Sequence, residues 1–369
     1  MKNSQPPPPV VPLESPIGAI RKTFSKAIRD RRFVKAINSE WEIHRVEGTD
    51  VTAFSGDYLI SGEKGIFAIK EKELLQLFGT RTFGIARRGN ELFAASSNDH
   101  YSAVCKASLP EEIAVGKSLR FSEIFRIRTS KSGRIHQIGF YNDQLAIANT
   151  DSNSILFLDP DSGEVISECF PFRDHFGLPV VGDFNHINSV SQCGECLLFC
   201  AYRTGTNSMI GVLHGKRVRG YAATNVGAHD VHLAGDVVYY SDTFGKPVSE
   251  GGSECGFLMA NGQPVDEEFF SQADGGRAVR GIAGCGNELV VGHSHKGSRS
   301  KRYKGKGSIF RIVNGKVECE ISVPFSQVYD IMRTDGRHFE ESPCHGTWDE
   351  VNAFLESRLG PCIYERELD

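Results

Sequence analysis

One local pattern recurs along this chain and constrains its fold more than any other feature. Phe83-Gly84-Ile85 precedes Gly89-Asn90-Glu91-Leu92, and His136-Gln137-Ile138 precedes Asn142-Asp143-Gln144-Leu145. The frame returns as His229-Asp230-Val231 before Gly235-Asp236-Val237-Val238, and as Arg280-Gly281-Ile282 before Gly286-Asn287-Glu288-Leu289. A fifth copy, His186-Ile187-Asn188 before Gly194-Glu195-Cys196-Leu197, carries about two inserted residues. Each copy reads as a short strand, a tight turn on Gly, Asn or Asp, and a second apolar strand. Starts at 83, 136, 186, 229 and 280 give spacings of 53, 50, 43 and 51 residues. That is the length of one four-stranded propeller blade.

A sixth inner strand is expected at Gln327-Val328-Tyr329-Asp330-Ile331, another 49 residues on, with little sheet after it. Its partners are expected at the other end of the chain, in 57–61 and 65–69, because a blade built from both termini removes an open sheet edge. The predicted fold is therefore all-β, a six-bladed β-propeller over 47–340 closed by N- and C-terminal strands. Residues 1–16, with Pro6 to Pro9, Pro12 and Pro16, read as a disordered leader. Residues 17–46 are expected to hold a basic amphipathic helix: from 17 to 37, seven Lys or Arg face a single Asp, a local charge of +6. It would pack on the acidic body or make a peripheral membrane or protein contact. In 341–369 a C-terminal helix is expected from Trp348, with Thr347 as N-cap and Gly360 as its stop.

A net charge of −4 over 369 residues offers no electrostatic drive toward nucleic acid. No apolar run is long enough for a transmembrane helix, and the leader lacks the apolar stretch of a secretory signal. The ten cysteines form no small-domain disulfide framework, which points to reduced thiols and a cytoplasmic protein. Cys193 and Cys196 have the spacing of a zinc or redox pair, but they flank a predicted hairpin turn and lack a second pair.

The ordered motifs Ile135-His136, His186-Ile187-Asn188, Ala228-His229-Asp230, Arg280-Gly281-Ile282 with Val291-Gly292-His293-Ser294, and Val328-Tyr329-Asp330-Ile331 span roughly 80–335. Together they resemble a bacterial family of conserved propeller-like proteins of unknown function. Two positions depart from that family's pattern, Ala228 where it tends to have Pro and His293 where it tends to have Leu. The resemblance implies the fold and the place of the site, and no reaction.

The repeat places Phe83, His136, His186, His229, Arg280 and Tyr329 at equivalent positions, so they are expected to form a ring at one mouth of the channel. Residues four past the aligned second-strand position, Ser96, Asn149, Asp242 and His293, are expected to return to the same rim. His136, His186, His229 and His293 are the candidate metal ligands, since a facial histidine set with open positions suits zinc or non-haem iron. Arg280 would clamp an anionic group of a substrate, with Phe83, Asn149 and Asp242 beside it. Tyr329, Arg280 and Asp330 are the candidate catalytic residues. This site logic is similar in kind to that of the peptidylglycine amidating lyase propeller, an analogy only. The expected activity is that of a metal-dependent lyase or hydrolase on a small or peptidic anionic substrate. The alternatives are a non-catalytic ligand- or protein-binding propeller and an iron-dependent oxygenase. The basic, glycine-rich segment 295–307 would leave the second strand at the same rim and act as a lid.

Overall fold

A computed structural model of the chain describes residue 26 and residues 29–98, 100–128, 135–202, 208–223, 227–243, 256–271, 277–295, 305–339 and 346–368. Six antiparallel sheets stand around one axis as the blades of a propeller. We number the blades by their inner strands: Thr82–Arg88, Ile135–Tyr141, Ile187–Cys193, Ala228–Ala234, Arg277–Cys285 and Val328–Arg333. Each inner strand packs against the next, and the sixth returns to the first.

Tight turns carry each inner strand into its neighbour. In blade 2 the two loop residues Asn142 and Asp143 both have positive φ, 48° and 63°, the backbone of a hairpin turn that matches strand twist. Their side chains tolerate that conformation, which is why the repeat keeps Asn, Asp or Gly there.

Blade 6 closes the ring from both ends of the chain. Its inner strand pairs with Tyr58–Gly62, which pairs in turn with Gly65–Lys70 and then Glu73–Phe78. The seam to blade 5 is tied by Glu288, 2% exposed, whose carboxylate accepts hydrogen bonds from Tyr58 Oη (3.0 Å), Ser55 Oγ (2.8 Å) and Arg311 Nε (2.6 Å). A carboxylate so far from water persists only with such partners.

The ends differ from the simpler expectation in two ways. Residues 29–37 are helical, but the chain then turns to strand, Glu40–Glu42 pairing with Ser118–Arg120 and His44–Arg45 with the edge of blade 6. The leader and most of 17–28 lie outside the described residues. At the other end, helix Trp348–Leu359 has the Thr347 N-cap, a capping box with Glu350 and Gly360 at its C-cap. It buries Trp348, Val351 and Leu355 against blades 3 and 4. The tail then adds Cys362–Glu367 as a fifth strand to blade 3. Alternating exposed and half-buried residues mark it as an edge strand, and the alternation is too weak to read in isolation.

Candidate functional site

All six inner strands slip register near their N-terminal ends, between residues 82 and 84, 135 and 138, 187 and 189, 229 and 232, 280 and 282, and 328 and 330. A bulge leaves one or two residues out of the ladder and re-aims their side chains. Repeated six times around an axis, it turns consecutive polar residues toward the channel. Asp230 and Gly281 take positive φ at these points, 53° and 73°. Gly281 has no alternative, because a Cβ there would stand 2.9 Å from the backbone of Asp330 and Ile331.

The predicted ring forms, with one change. Phe83 stacks on Tyr329 at 4.5 Å between centroids and lies 5.7 Å from His136. His136 lies 5.2 Å from His186 and 6.3 Å from His229, and the Arg280 guanidinium lies 5.9 Å from the Tyr329 ring. Phe83, His136, Asn188, His229, Arg280 and Tyr329 line a channel cavity of about 10 Å³, room for roughly one water. Blade 3 thus fills its place in the wall with Asn188, and His186 sits just before the strand. There its Nδ1 is 2.7 Å from Asp183 Oδ1 and its ring 4.4 Å from Tyr202.

The second strands return to the rim, where Ser96, Asn149, Asp242 and His293 pair with Thr82, Ile135, Ala228 and Val279 at the starts of the inner strands. His293 is 3% exposed and packs against Phe310 at 4.8 Å, within the apolar layer between blades 4 and 5. Asn149 is buried and donates to Ser154 Oγ (3.2 Å), Ser96 meets Thr82 Oγ1 (3.2 Å), and Asp242 is fully buried opposite Ala228. None of the four lines the channel cavity. Reversal of strand direction restores height, but side-chain alternation along a strand decides which face a residue serves.

Below the ring lies a layer that the repeat alignment passed over. Gln137 Nε2 donates to Asp230 Oδ1 (3.3 Å) and Asp330 Oδ1 (3.2 Å), and its Oε1 accepts from Val190 N (3.1 Å). Asp230 also accepts from Gly281 N (2.8 Å) and Ser241 Oγ (3.1 Å). Asp330, with no exposed surface, accepts from Ile85 N (3.1 Å), and His338 Nε2 lies 3.4 Å away. Asp330 therefore faces inward, but toward the far mouth and away from the ring. Burial, with the Asp330 carboxylate nearby, pushes the Asp230 carboxyl up to about 7. The clue was the run of polar doublets His136-Gln137, His229-Asp230 and Tyr329-Asp330, where a simple strand would place an apolar residue second.

His229 is the ring member whose chemistry is best defined. Burial and the Arg280 charge hold its pKa well below the usual imidazole range, so the ring is neutral. Its Nδ1 lies 2.8 Å from Gly227 O, which places the proton there, and Nε2 is left as a lone-pair acceptor. That Nε2 is buried without a hydrogen-bond partner among the described residues. Tyr202, 6.4 Å from the His229 ring, joins the site from one residue beyond the second strand of blade 3.

Among the described residues no three His, Cys, Asp or Glu side chains are grouped so as to hold an ion. Two imidazoles on one tetrahedral ion stand about 5 Å apart between centroids. The His136–His186 spacing matches this, the His136–His229 spacing is longer, and His293 belongs to another layer. Cys193 and Cys196 face each other across their hairpin, and burial pushes both thiols up to about 12, away from the thiolate that zinc or redox chemistry needs. Of segment 295–307, residues 296–304 lie outside the described residues.

Fold and site together define a six-bladed β-propeller with imidazole, guanidinium and phenol groups gathered at one channel mouth. No protein-family model and no curated protein matches the chain. Among solved structures it is similar to a protein of unknown function from Bacteroides caccae, with 14% identity, 75% of this chain and 98% of that one covered, and a TM-score of 0.47. It is also similar to a chain of a nidogen/laminin complex, with 10% identity, 74% and 97% covered, and a TM-score of 0.47. A PQQ-bound aldose sugar dehydrogenase from Streptomyces coelicolor follows at 12% identity, 81% and 97% covered, and a TM-score of 0.42. At these levels the likeness bears on fold outline alone. It lends no support to the analogy with the amidating lyase. No helix among the described residues is long and apolar enough to cross a membrane.

Proposed function

We propose that the ringed mouth binds a small or peptidic anionic substrate and acts on it by a lyase- or hydrolase-type reaction. The observation that carries this reading is the neutral His229, with an unprotonated Nε2, lining the channel cavity together with Arg280. Arg280 would hold a carboxylate or phosphate through its planar fork. His229 would take a proton from the substrate or from a water, and Tyr329, stacked on Phe83, would donate one to the leaving group. Phe83 gives the site an apolar wall, and Tyr202 and His186 bound it toward blade 3.

Thermal-shift titration with a panel of small carboxylates and phosphate esters tests the anion site. Stabilisation of the wild type, lost in Arg280→Gln, is expected. Hydrolysis of a chromogenic ester from the stabilising class is expected to fall by about 10²-fold or more in His229→Gln. Equal stabilisation of wild type and Arg280→Gln by every anion would remove the reading.

A second reading adds a divalent ion, zinc or iron, at His136, His186 and His229. It is favoured by the His136–His186 spacing and by the available lone pair of His229, and the ion would supply Lewis acidity. Elemental analysis of protein purified without a metal-affinity tag decides it. Metal content that is substoichiometric and unchanged when all three histidines become Ala rejects it.

A further inference from the structure

A second, larger cavity stands at the other end of the channel. Its walls come from the C-terminal halves of the inner strands, about four residues or ~13 Å beyond the ring. It holds about 550 Å³, within the range of small-molecule sites. The floor is apolar, with Ile85, Ile138, Val190 and Met332 among its residues, and Phe140 and Leu233 stand on the sides.

One wall does not belong to a blade. After blade 6 the chain crosses the mouth and pins itself to blade 5, where Gly284 N donates to His338 O (2.8 Å) and Gly284 bridges to Phe339. Gly284 permits this approach, since a Cβ there would stand 2.7 Å from the Phe339 ring. The crossing lays His338 on His232, stacked at 4.1 Å, and Phe339 on Tyr239, stacked at 5.4 Å. The pocket therefore has a flat aromatic side.

Its polar groups are cationic or donating. Arg87 and Arg337 line it with Ser191 and Gln192, and no carboxylate lines it among the described residues. Arg333 and Arg337 share one acid, Asp335, at 3.1 and 2.8 Å, so these two guanidiniums outnumber their common partner. Arg87 packs at Gly336, beside that pair, and its Nε donates to Gly89 O (2.7 Å). Desolvation lowers its pKa, which is the signature of a guanidinium held short of water. His232, 2% exposed, contacts Ser191 Oγ through Nδ1 at 3.1 Å, and its Nε2 is buried without a hydrogen-bond partner among the described residues.

We infer that this far mouth is a second binding site, which takes an organic monoanion with a planar apolar body. The anionic group would sit by Arg87 and Arg337, and the body would lie on the apolar floor against the His338 and Phe339 side. The site is separate from the ringed mouth, because the Asp230–Gln137–Asp330 layer closes the channel between them.

The probe is 1-anilinonaphthalene-8-sulfonate, a flat organic anion whose fluorescence reports burial, titrated into the full chain. Saturable one-to-one binding is expected. Affinity should fall about tenfold or more in Arg87→Gln and also fall in Ser191→Phe, whose ring would take up part of the pocket. Near-UV circular dichroism and melting temperature keep a folding defect distinguishable from loss of the site, and a weakening in either variant with native values supports the inference. Arg280→Gln, at the ringed mouth, should bind the probe like wild type. The inference is overturned if wild type shows no saturable binding, if both pocket variants bind unchanged, or if the loss appears in Arg280→Gln alone.

Discussion

Replacing Asp230 with Asn should remove one component of the pH dependence of stability and leave the fold intact. Asp230 is 3% exposed, and its carboxyl rises from an ordinary 3.8 to about 7, first because burial penalises the charge and second because Asp330 is close. An acid whose folded pKa is raised binds its proton more tightly in the native state. Its contribution is fully favourable below pH 3.8 and is lost as pH rises toward 7. Linkage puts the stability lost relative to low pH at about 2 kcal/mol at pH 5, where only the unfolded chain has ionised, and about 4 kcal/mol at pH 8, so stability should decline by about 2–3 kcal/mol across that interval. The histidines act in the opposite sense. His229 and His232 are held neutral by burial, so the stability they permit is present above pH 6.5 and lost as pH falls below it. The measured quantity must therefore be the difference between variant and wild type, in which those contributions cancel. Asn keeps an oxygen to accept from Gly281 N and, like the protonated acid, carries no charge. Urea unfolding at pH 5 and pH 8 should show Asp230→Asn gaining about 2–3 kcal/mol on wild type between the two. A difference that stays constant with pH would refute the reasoning, and would place the ionisation elsewhere in the Gln137 layer.

Two further predictions concern the scaffold. Gly281→Ala should destabilise by at least ~2 kcal/mol, since it puts a Cβ on a backbone at φ 73° and against the blade 6 strand; a urea midpoint within error of wild type would contradict the close approach of blades 5 and 6. Arg311→Met should cost about 3 kcal/mol by leaving Glu288 buried without its cation, and Glu288→Gln in the same chain should recover part of it. Equal losses in the single and double variants, measured by denaturant titration, would show that the seam charge is not what Arg311 serves.

Legibility in the sequence followed physical range. The hairpin grammar rests on interactions within a few residues, turn chemistry and period-two alternation, and so Asn142-Asp143 or Gly286-Asn287 can be read in isolation. Blade count and the closing of blade 6 by Tyr58–Gly62 were legible because repetition supplies spacing and an open edge supplies a need. The His186 position is off by two residues, because the six-residue interval that leads from Phe83 to Gly89 and from His136 to Asn142 reaches Gly194 from Asn188, not from His186. His293 was assigned to the ring by counting back along its strand, and its contact with Phe310 shows that it serves an interblade layer. The far pocket was not seen at all, because one of its walls is a segment, 334–339, with no repeat signature.

The sequence by itself thus determined the repeat, the blades and the gathering of His136, His229, Arg280 and Tyr329 at one mouth, since these follow from local periodicity summed around a closed ring. Only the tertiary structure decided that Gln137 holds two carboxylates apart on the axis and that the chain after blade 6 folds back to stack His338 on His232. Those features depend on bulges and crossings that bring residues from different blades within 4 Å, and such meetings are set by packing around the axis and leave no period in the chain.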